Sequence, residues 1–171
     1  MWIQLKDIMA KGQPVAIRES LNSETLLKGR KDILSAGPIV TDLEAKAASD
    51  VVEVTGRVSV ELEFGCSRCL TPFKQTLNIP FREIFTSKPE VEAQASEDED
   101  EIVHLVREDK VELNPYIEEN IQLELPLAPV CREDCKGLCP ECGTNRNERD
   151  CGCKNERIDP RLAGLADFFN S

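Results

Sequence analysis

Six of the eight cysteines in this 171-residue chain fall within the 23 positions CREDCKGLCPECGTNRNERDCGC, residues 131 to 153. Sulfurs at that density are disulfides, catalytic thiols or metal ligands, and the choice decides compartment and fold. The opening residues MWIQLKDIMAKG put Lys6 and Asp7 where a secretory signal needs an unbroken apolar run. The longest uncharged run is the nine residues Ile33 to Thr41. The expectation is a cytoplasmic chain with no signal peptide and no membrane span. A reducing cytosol keeps thiols free unless metal or catalysis uses them, so metal is the leading reading.

Upstream, the pattern is that of strands. From Val51 to Phe64 the even positions carry Val52, Val54, Val58, Val60, Leu62 and Phe64, while Glu53, Thr55, Arg57, Ser59, Glu61 and Glu63 occupy odd ones. That period of two predicts a long strand with one buried face. Phe73, Leu77, Ile79 and Phe81 share one phase in a second run that should pair antiparallel with the first, which puts Cys66 and Cys69 at a hairpin tip. Ile39, Leu43, Ala45 and Ala47 predict a neighbouring strand, VAIRESL from Val15 another, and IVHLV a short buried one. Residues 87 to 101 (SKPEVEAQASEDEDE) read as a solvated acidic loop, a solubilising insertion before an RNA mimic or docking peptide.

Asn114 reads as a helix N-cap followed by Pro115, with Ile117, Ile121 and Leu125 on one face and Pro126 ending the run. Asp159 and Pro160 repeat that signature ahead of Leu162, Leu165 and Phe169, a final amphipathic helix that can pack on the sheet. The fold class is therefore α+β: an antiparallel β-meander or partial barrel with two short helices and a cysteine-rich zinc-binding C-terminal segment. Residues 1–130 form the core domain with its acidic loop at 87–101. Residues 131–171 form the zinc-binding tail and C-terminal helix packed on the core.

A structural zinc site takes four ligands in a tetrahedron, with sulfurs about 3.8 Å apart for bonds of about 2.3 Å. Cys139-Pro-Glu-Cys142-Gly143 has the form of a metal knuckle, with Pro140 stiffening the turn and Gly143 accepting positive φ. Cys151-Gly-Cys153, read as extended, puts both thiols on one face, with Gly152 leaving room for the ion. Cys139, Cys142, Cys151 and Cys153 then make one site. Cys66 and Cys69 join Cys131 and Cys135 in a second that ties the tail to the β-domain, although Cys135 and Cys139 are close enough to exchange between sites. The alternatives are a disulfide network and a redox couple at Cys66-Ser-Arg-Cys69, where Arg68 would lower a thiol pKa; the pair sits at a strand turn, not a helix N-terminus.

Two closed quartets leave no coordination position for water or substrate, which argues against zinc hydrolysis. His104, the only histidine, reads as a packed or half-exposed structural residue. No Gly-rich phosphate loop, GxSxG elbow or HExxH motif is present, and Glu118 and Glu119 diverge on their helix. A non-enzymatic protein is expected. The net charge of −11 excludes a generally basic nucleic-acid binder, yet Cys131 to Arg161 balances seven basic against seven acidic residues.

CSRCL (66–70), LPLAPVCREDCKGLCPECGTNRN (125–147), CGC (151–153) and DPRLAGL (159–165) together closely resemble the YceD family, the large ribosomal RNA subunit accumulation proteins. The resemblance implies a non-enzymatic bacterial cytoplasmic factor, with relatives in chloroplasts, that supports synthesis, processing or accumulation of 23S ribosomal RNA. Some branches of that family lack the cysteines corresponding to positions 139 to 153, which implies an architectural role for the site at the hairpin tip. Partners on this reading are large-subunit rRNA or a pre-ribosomal particle. Arg132, Lys136, Arg146, Arg149, Lys154, Arg157 and Arg161 would face RNA around the zinc loops, with Asn145 and Asn147 hydrogen-bonding nucleotides. A protein-binding adaptor, engaging a basic ribosomal protein or an RNA-processing enzyme through the acidic loop and the helix at Asn114, is the alternative. A thiol oxidoreductase acting through Cys66 and Cys69 is a third.

Overall fold

The structure, a computed structural model, describes residues 1–95 and 102–153. Its spine is the hairpin formed by β5 (Val51–Gly65) and β6 (Pro72–Thr86), fifteen residues a side and in continuous register from Val51↔Thr86 to Gly65↔Pro72. At about 3.4 Å per residue each arm is about 50 Å long. Two shorter strands lie end to end along the far edge of β5. Of these, β3 (Ile33–Ala36) pairs near Phe64 and β4 (Ile39–Ala48) pairs from Ser59 to Val51. Gly37 and Pro38 interrupt them, and the Gly37 N–H still donates to the Glu61 carbonyl at 2.8 Å.

Outside β4 lies β2 (Val15–Leu21), and the order of the main sheet is β2-β4-β5-β6-β7, with β7 (Val103–Leu105) parallel to β6. A second, two-stranded sheet pairs β1 (Trp2–Gln4) with β8 (Lys110–Glu112).

The period of two is realised as a buried and a solvated face. Val52, Val54, Val58, Val60, Leu62 and Phe64 are buried with Phe81 and Phe85. Over this face lie α1 (Leu5–Lys11), contributing Leu5 and Ile8, and α4 (Asn114–Glu124), contributing Ile117 and Ile121 one turn apart. Each large side chain buried here stabilises by roughly 1.5–3 kcal/mol. The solvated face carries cross-strand ion pairs: Arg18 with Asp42, Lys74 with Glu61 and Arg82 with Glu53.

Several expectations are corrected. The α+β class holds, but the main sheet is open, with β2 and β7 at the ends of its strand order, and β7 runs parallel to β6, so it is not a purely antiparallel meander. Four helices lie among the described residues, including α2 (Glu24–Leu27) and α3 (Pro89–Ala95). The latter stands where an acidic loop is predicted. Pro89 opens it, and Glu90 and Glu92 sit in its first turn, where carboxylates face the positive end of the backbone dipoles.

Asn114 begins α4 without capping it: Leu113 holds the cap position, and Asn114 Oδ1 accepts from the Met1 amino group at 2.9 Å. The IVHLV strand is half-buried, and His104 Nε2 meets Glu83 Oε2 at 2.7 Å while Asn120 donates to Glu83 Oε1 at 2.8 Å. The helix predicted from Asp159 lies outside the described residues, as do Lys154, Arg157 and Arg161.

Gly56 sits opposite Leu43 in the middle of the sheet with φ of 153°. A Cβ there would press on the Asp42 carbonyl oxygen and lie 2.7 Å from Leu43 Cα, backbone atoms that cannot swing aside. Gly56→Ala is expected to cost about 2–4 kcal/mol. At about 2–4 °C per kcal/mol for a chain of this size, thermal unfolding should show a midpoint lower by roughly 5–15 °C.

Candidate metal centre

The two Cys-x2-Cys turns are the same structure made twice. In C-S-R-C-L-T the Leu70 N–H donates to the Cys66 carbonyl at 2.9 Å and the Cys66 N–H to the Thr71 carbonyl at 3.1 Å. In C-P-E-C-G-T the Gly143 N–H donates to the Cys139 carbonyl at 2.8 Å and the Cys139 N–H to the Thr144 carbonyl at 2.8 Å. The threonine hydroxyls repeat as well, with Thr71 Oγ1 3.4 Å from Cys69 Sγ and Thr144 Oγ1 3.2 Å from Cys142 Sγ. The residue after the second cysteine is left-handed in both, Leu70 at φ 61° and Gly143 at φ 71°. One turn closes the long β5–β6 hairpin; the other stands in the tail.

The segment after α4 carries the tail to the hairpin tip. Ser67 N–H donates to the Pro129 carbonyl at 2.8 Å, and the Arg68 guanidinium donates to the carbonyls of Glu133 and Cys135 at 3.0 and 3.1 Å. Arg68 is therefore a strut between hairpin and tail. Cys66, Cys69, Cys131 and Cys135 converge so that their four sulfurs lie within 4.8 Å of one another. Cys66 and Cys135 Sγ are 3.8 Å apart, and Cys69 and Cys131 Sγ 3.7 Å. All eight cysteines are free thiols. These separations match the edge of a tetrahedron of sulfurs about 2.3 Å from a central ion, and far exceed a disulfide of about 2.05 Å.

Cys139, Cys142, Cys151 and Cys153 form the second quartet, also within 4.8 Å. Its outer members are more open: Cys142 and Cys153 are exposed, whereas Cys66, Cys69 and Cys135 are buried. Cys151-Gly-Cys153 is not extended, as predicted, but turned, with Gly152 at φ 67° and its N–H donating to Asp150 Oδ1 at 3.3 Å. The four-residue spacing of Cys135 and Cys139 puts them in different quartets.

Sulfurs this close cannot all ionise side by side. Burial opposes ionisation of Cys66, but the N–H groups of Cys131, Cys69 and Arg68 outweigh it and bring that thiol down to about 6. Burial, then hydrogen bonding among the neighbouring sulfurs of Cys66, Cys135 and Cys69, pushes Cys131 up to about 12. The second quartet divides the same way. The Thr144 hydroxyl and N–H lower Cys142 to about 6, and the Cys142 and Cys151 sulfurs raise Cys153 to about 12. A dication removes this conflict, because four thiolates around it are neutralised in part and held at a common distance. The donor set, all soft sulfur and closed on four sides, fits a soft tetrahedral dication.

Between Cys142 and Cys151 the loop turns back onto the first quartet. Arg146 N–H donates to the Gly137 carbonyl at 2.9 Å, and Leu138 bridges Asn145. Asn145 and Asn147 are committed inward rather than offered to nucleotides. Asn145 donates to Glu148 at 2.7 Å, and Asn147 Nδ2 donates to Asn145 Oδ1 at 2.8 Å and to Cys135 Sγ at 3.3 Å. Lys136, Arg146 and Arg149 line a polar cavity of about 240 Å³ with Asn147, Glu148 and Asp150. Among the described residues no group pairs with these three side-chain cations, whereas Arg132 pairs with Asp134 and donates to Asn147. Sequence reasoning passed over the threonine after each knuckle, for which the repeated C-x-x-C-x-T pattern was the available signal, and it pointed Asn147 at nucleotides where the side chain meets a cysteine sulfur.

Leu70 is a γ-branched residue in a conformation that costs an L-residue roughly 1–2 kcal/mol, at the position where its twin has glycine. Leu70→Gly should keep both Cys-x2-Cys turns and gain about 0.5–1 kcal/mol, seen as a raised thermal midpoint.

The family model described as "Large ribosomal RNA subunit accumulation protein YceD" matches residues 54–169. An uncharacterised protein of Mycobacterium tuberculosis is 37% identical over 128 residues, covering 75% of this chain and 60% of its own length. Bacillus subtilis YlbN, also uncharacterised, is 29% identical over 148 residues, covering 86% of this chain and 83% of its own. An Arabidopsis thaliana protein named "Large ribosomal RNA subunit accumulation protein YCED homolog 1, chloroplastic" is 24% identical, over 88% of this chain and 54% of its own. The chain thus spans about 60% of the length of the mycobacterial relatives. No solved structure matches it. The matched region runs from near the start of β5 through both cysteine quartets, and on it the chain belongs to the YceD family.

Proposed function

We propose that this chain is a non-enzymatic, cytoplasmic ribosome-biogenesis factor that supports accumulation of large-subunit ribosomal RNA by binding that RNA or a pre-ribosomal particle. Its eight cysteines hold two structural Zn²⁺ ions, Cys66, Cys69, Cys131 and Cys135 one, and Cys139, Cys142, Cys151 and Cys153 the other. Bound zinc supplies the cross-link that positions the tail; the chain's own residues supply the contact surface. The family's name supports the ribosomal connection. No helix among the described residues is long and apolar enough to cross a membrane.

The observation that carries the reading is the triad Lys136, Arg146 and Arg149 around one polar cavity, with no side-chain partner among the described residues, in a chain of net charge −11. An acidic protein repels a polyanion at long range, so phosphate contact requires cations fixed together and free of internal partners. The neighbouring carboxylates are diverted: Glu148 accepts from Asn145 and Asp150 from the Gly152 N–H.

Stripping zinc with a chelator is expected to speed hydrogen exchange in residues 131–153 while the amides of the β5–β6 ladder keep their protection, as hydrogen-exchange mass spectrometry would read. Replacing Lys136, Arg146 and Arg149 together with Gln should leave two zincs per chain and abolish crosslinks to large-subunit rRNA. Three phosphate contacts to single-stranded RNA give a log–log salt slope of about −2, which the triple variant should lose. Crosslinks that persist in that variant, or that form only to basic ribosomal proteins or RNA-processing enzymes, would replace this reading with the acidic adaptor.

A further inference from the structure

Asn147 occupies a position that neither zinc site needs for a ligand. It lies in the loop whose two ends are Cys142 and Cys151, members of the second quartet, yet its side chain reaches Cys135 of the first at 3.3 Å. Its orientation is dictated by its neighbours. Oδ1 accepts from the Lys136 N–H at 2.8 Å and from Arg132 Nη2 at 2.9 Å, so Nδ2 must turn to the two acceptors on its other side, Cys135 Sγ and Asn145 Oδ1. A flipped amide would set its N–H groups against two donors.

The same bonds fix the tail between the sites. Asn147 holds Lys136 immediately after Cys135, Arg146 holds Gly137, and Leu138 N–H donates to the Arg68 carbonyl at 3.0 Å on the hairpin tip. An N–H aimed at a ligand sulfur stabilises the thiolate and orients it, the outer-shell role that typically changes metal affinity 10–100-fold when removed.

We propose that Asn147 is a positioning residue that couples the two cysteine sites, so that closing the second quartet on its metal tightens the first quartet's hold on its own. When Cys139, Cys142, Cys151 and Cys153 are drawn together, the loop they bracket is pinned at both ends and Asn147 is delivered to Cys135. When that quartet opens, the loop loses one anchor and the amide leaves the sulfur. Linkage is reciprocal, so an empty first quartet weakens the second by the same factor. This inference rests on the reading of both quartets as metal sites and is independent of any contact with RNA.

The test uses full-length reduced protein loaded with ¹¹³Cd²⁺ and challenged with excess EDTA, each site being followed by its own cadmium resonance. A chain that binds no cadmium refutes the metal reading itself. In a chain that binds two ions, Asn147→Leu removes all the amide's bonds. Asn147→Asp keeps the acceptor for Lys136 and Arg132 but removes the donor to sulfur.

Both variants retain all eight cysteines, and both are expected to release cadmium from the first quartet about 10-fold faster or more. Cys142→Ser with Cys153→Ser should speed first-site release similarly, and adding Asn147→Leu to that pair should change it no further, because the coupling is already lost. Unaltered first-site release in Asn147→Leu and Asn147→Asp, or additive effects in the combined variant, would overturn the proposal. Should the serine pair empty both sites, the two Asn147 variants alone decide.

Discussion

Everything distinctive in this molecule hangs on the continuous pairing of β5 with β6. Fifteen residues on each side stay in register, so the turn that joins them stands at the end of a stiff ladder whose side chains are locked by the core. A ligand pair carried there is already positioned. Cys66 and Cys69 need no further ordering before the tail arrives, whereas the same pair in a free loop would be ordered only at binding, at a cost of about 1–2 kcal/mol per residue. The rest of the sheet defends that ladder: β3 and β4 cover one edge of β5, β7 caps β6, and α1 and α4 seal the apolar face.

The tail has the opposite economy. Around the first quartet the apolar company is Phe73, Val130 and Leu138, with the sulfurs themselves supplying most of the buried surface. So small a cluster cannot offset the entropy of ordering a 23-residue segment. Two ions of the kind proposed, each clamping four chain positions, would. The separation of duties follows: hydrophobic burial holds the sheet, sulfur holds the tail, and Arg68 joins the two through backbone carbonyls rather than through another charge.

Strong periodicity and strong spacing were legible in the sequence. Alternation over Val51 to Phe64 locates β5, the matching phase in β6 follows, and the Cys-x2-Cys pairs bracket the turns where they are found. What was not legible depends on contacts distant in sequence. The cap position of Asn114 is displaced by one residue because its amide oxygen meets the chain's first amino group, 113 positions away. α3 looks like solvated loop because its acidic residues suppress any apolar pattern, although their placement in the first turn favours a helix. Asn145 and Asn147, which the sequence offers to nucleotides, meet each other and, for Asn147, a cysteine sulfur, partners that only the folded loop provides.

The first quartet joins Cys69 to Cys131 across 62 positions of chain. On a ribosome adding about 5–20 residues per second, that interval is roughly 3–12 s. For that time the hairpin can be complete while its two thiols wait at the tip without their partners. The nascent protein thus passes through a window in which a half-built site, Cys66 and Cys69 at the hairpin tip, is presented to whatever oxidant or foreign metal is at hand. On the proposed metal reading, synthesis rate therefore sets the exposure: slow translation between β6 and the tail lengthens the time in which the wrong metal can take the half-built site.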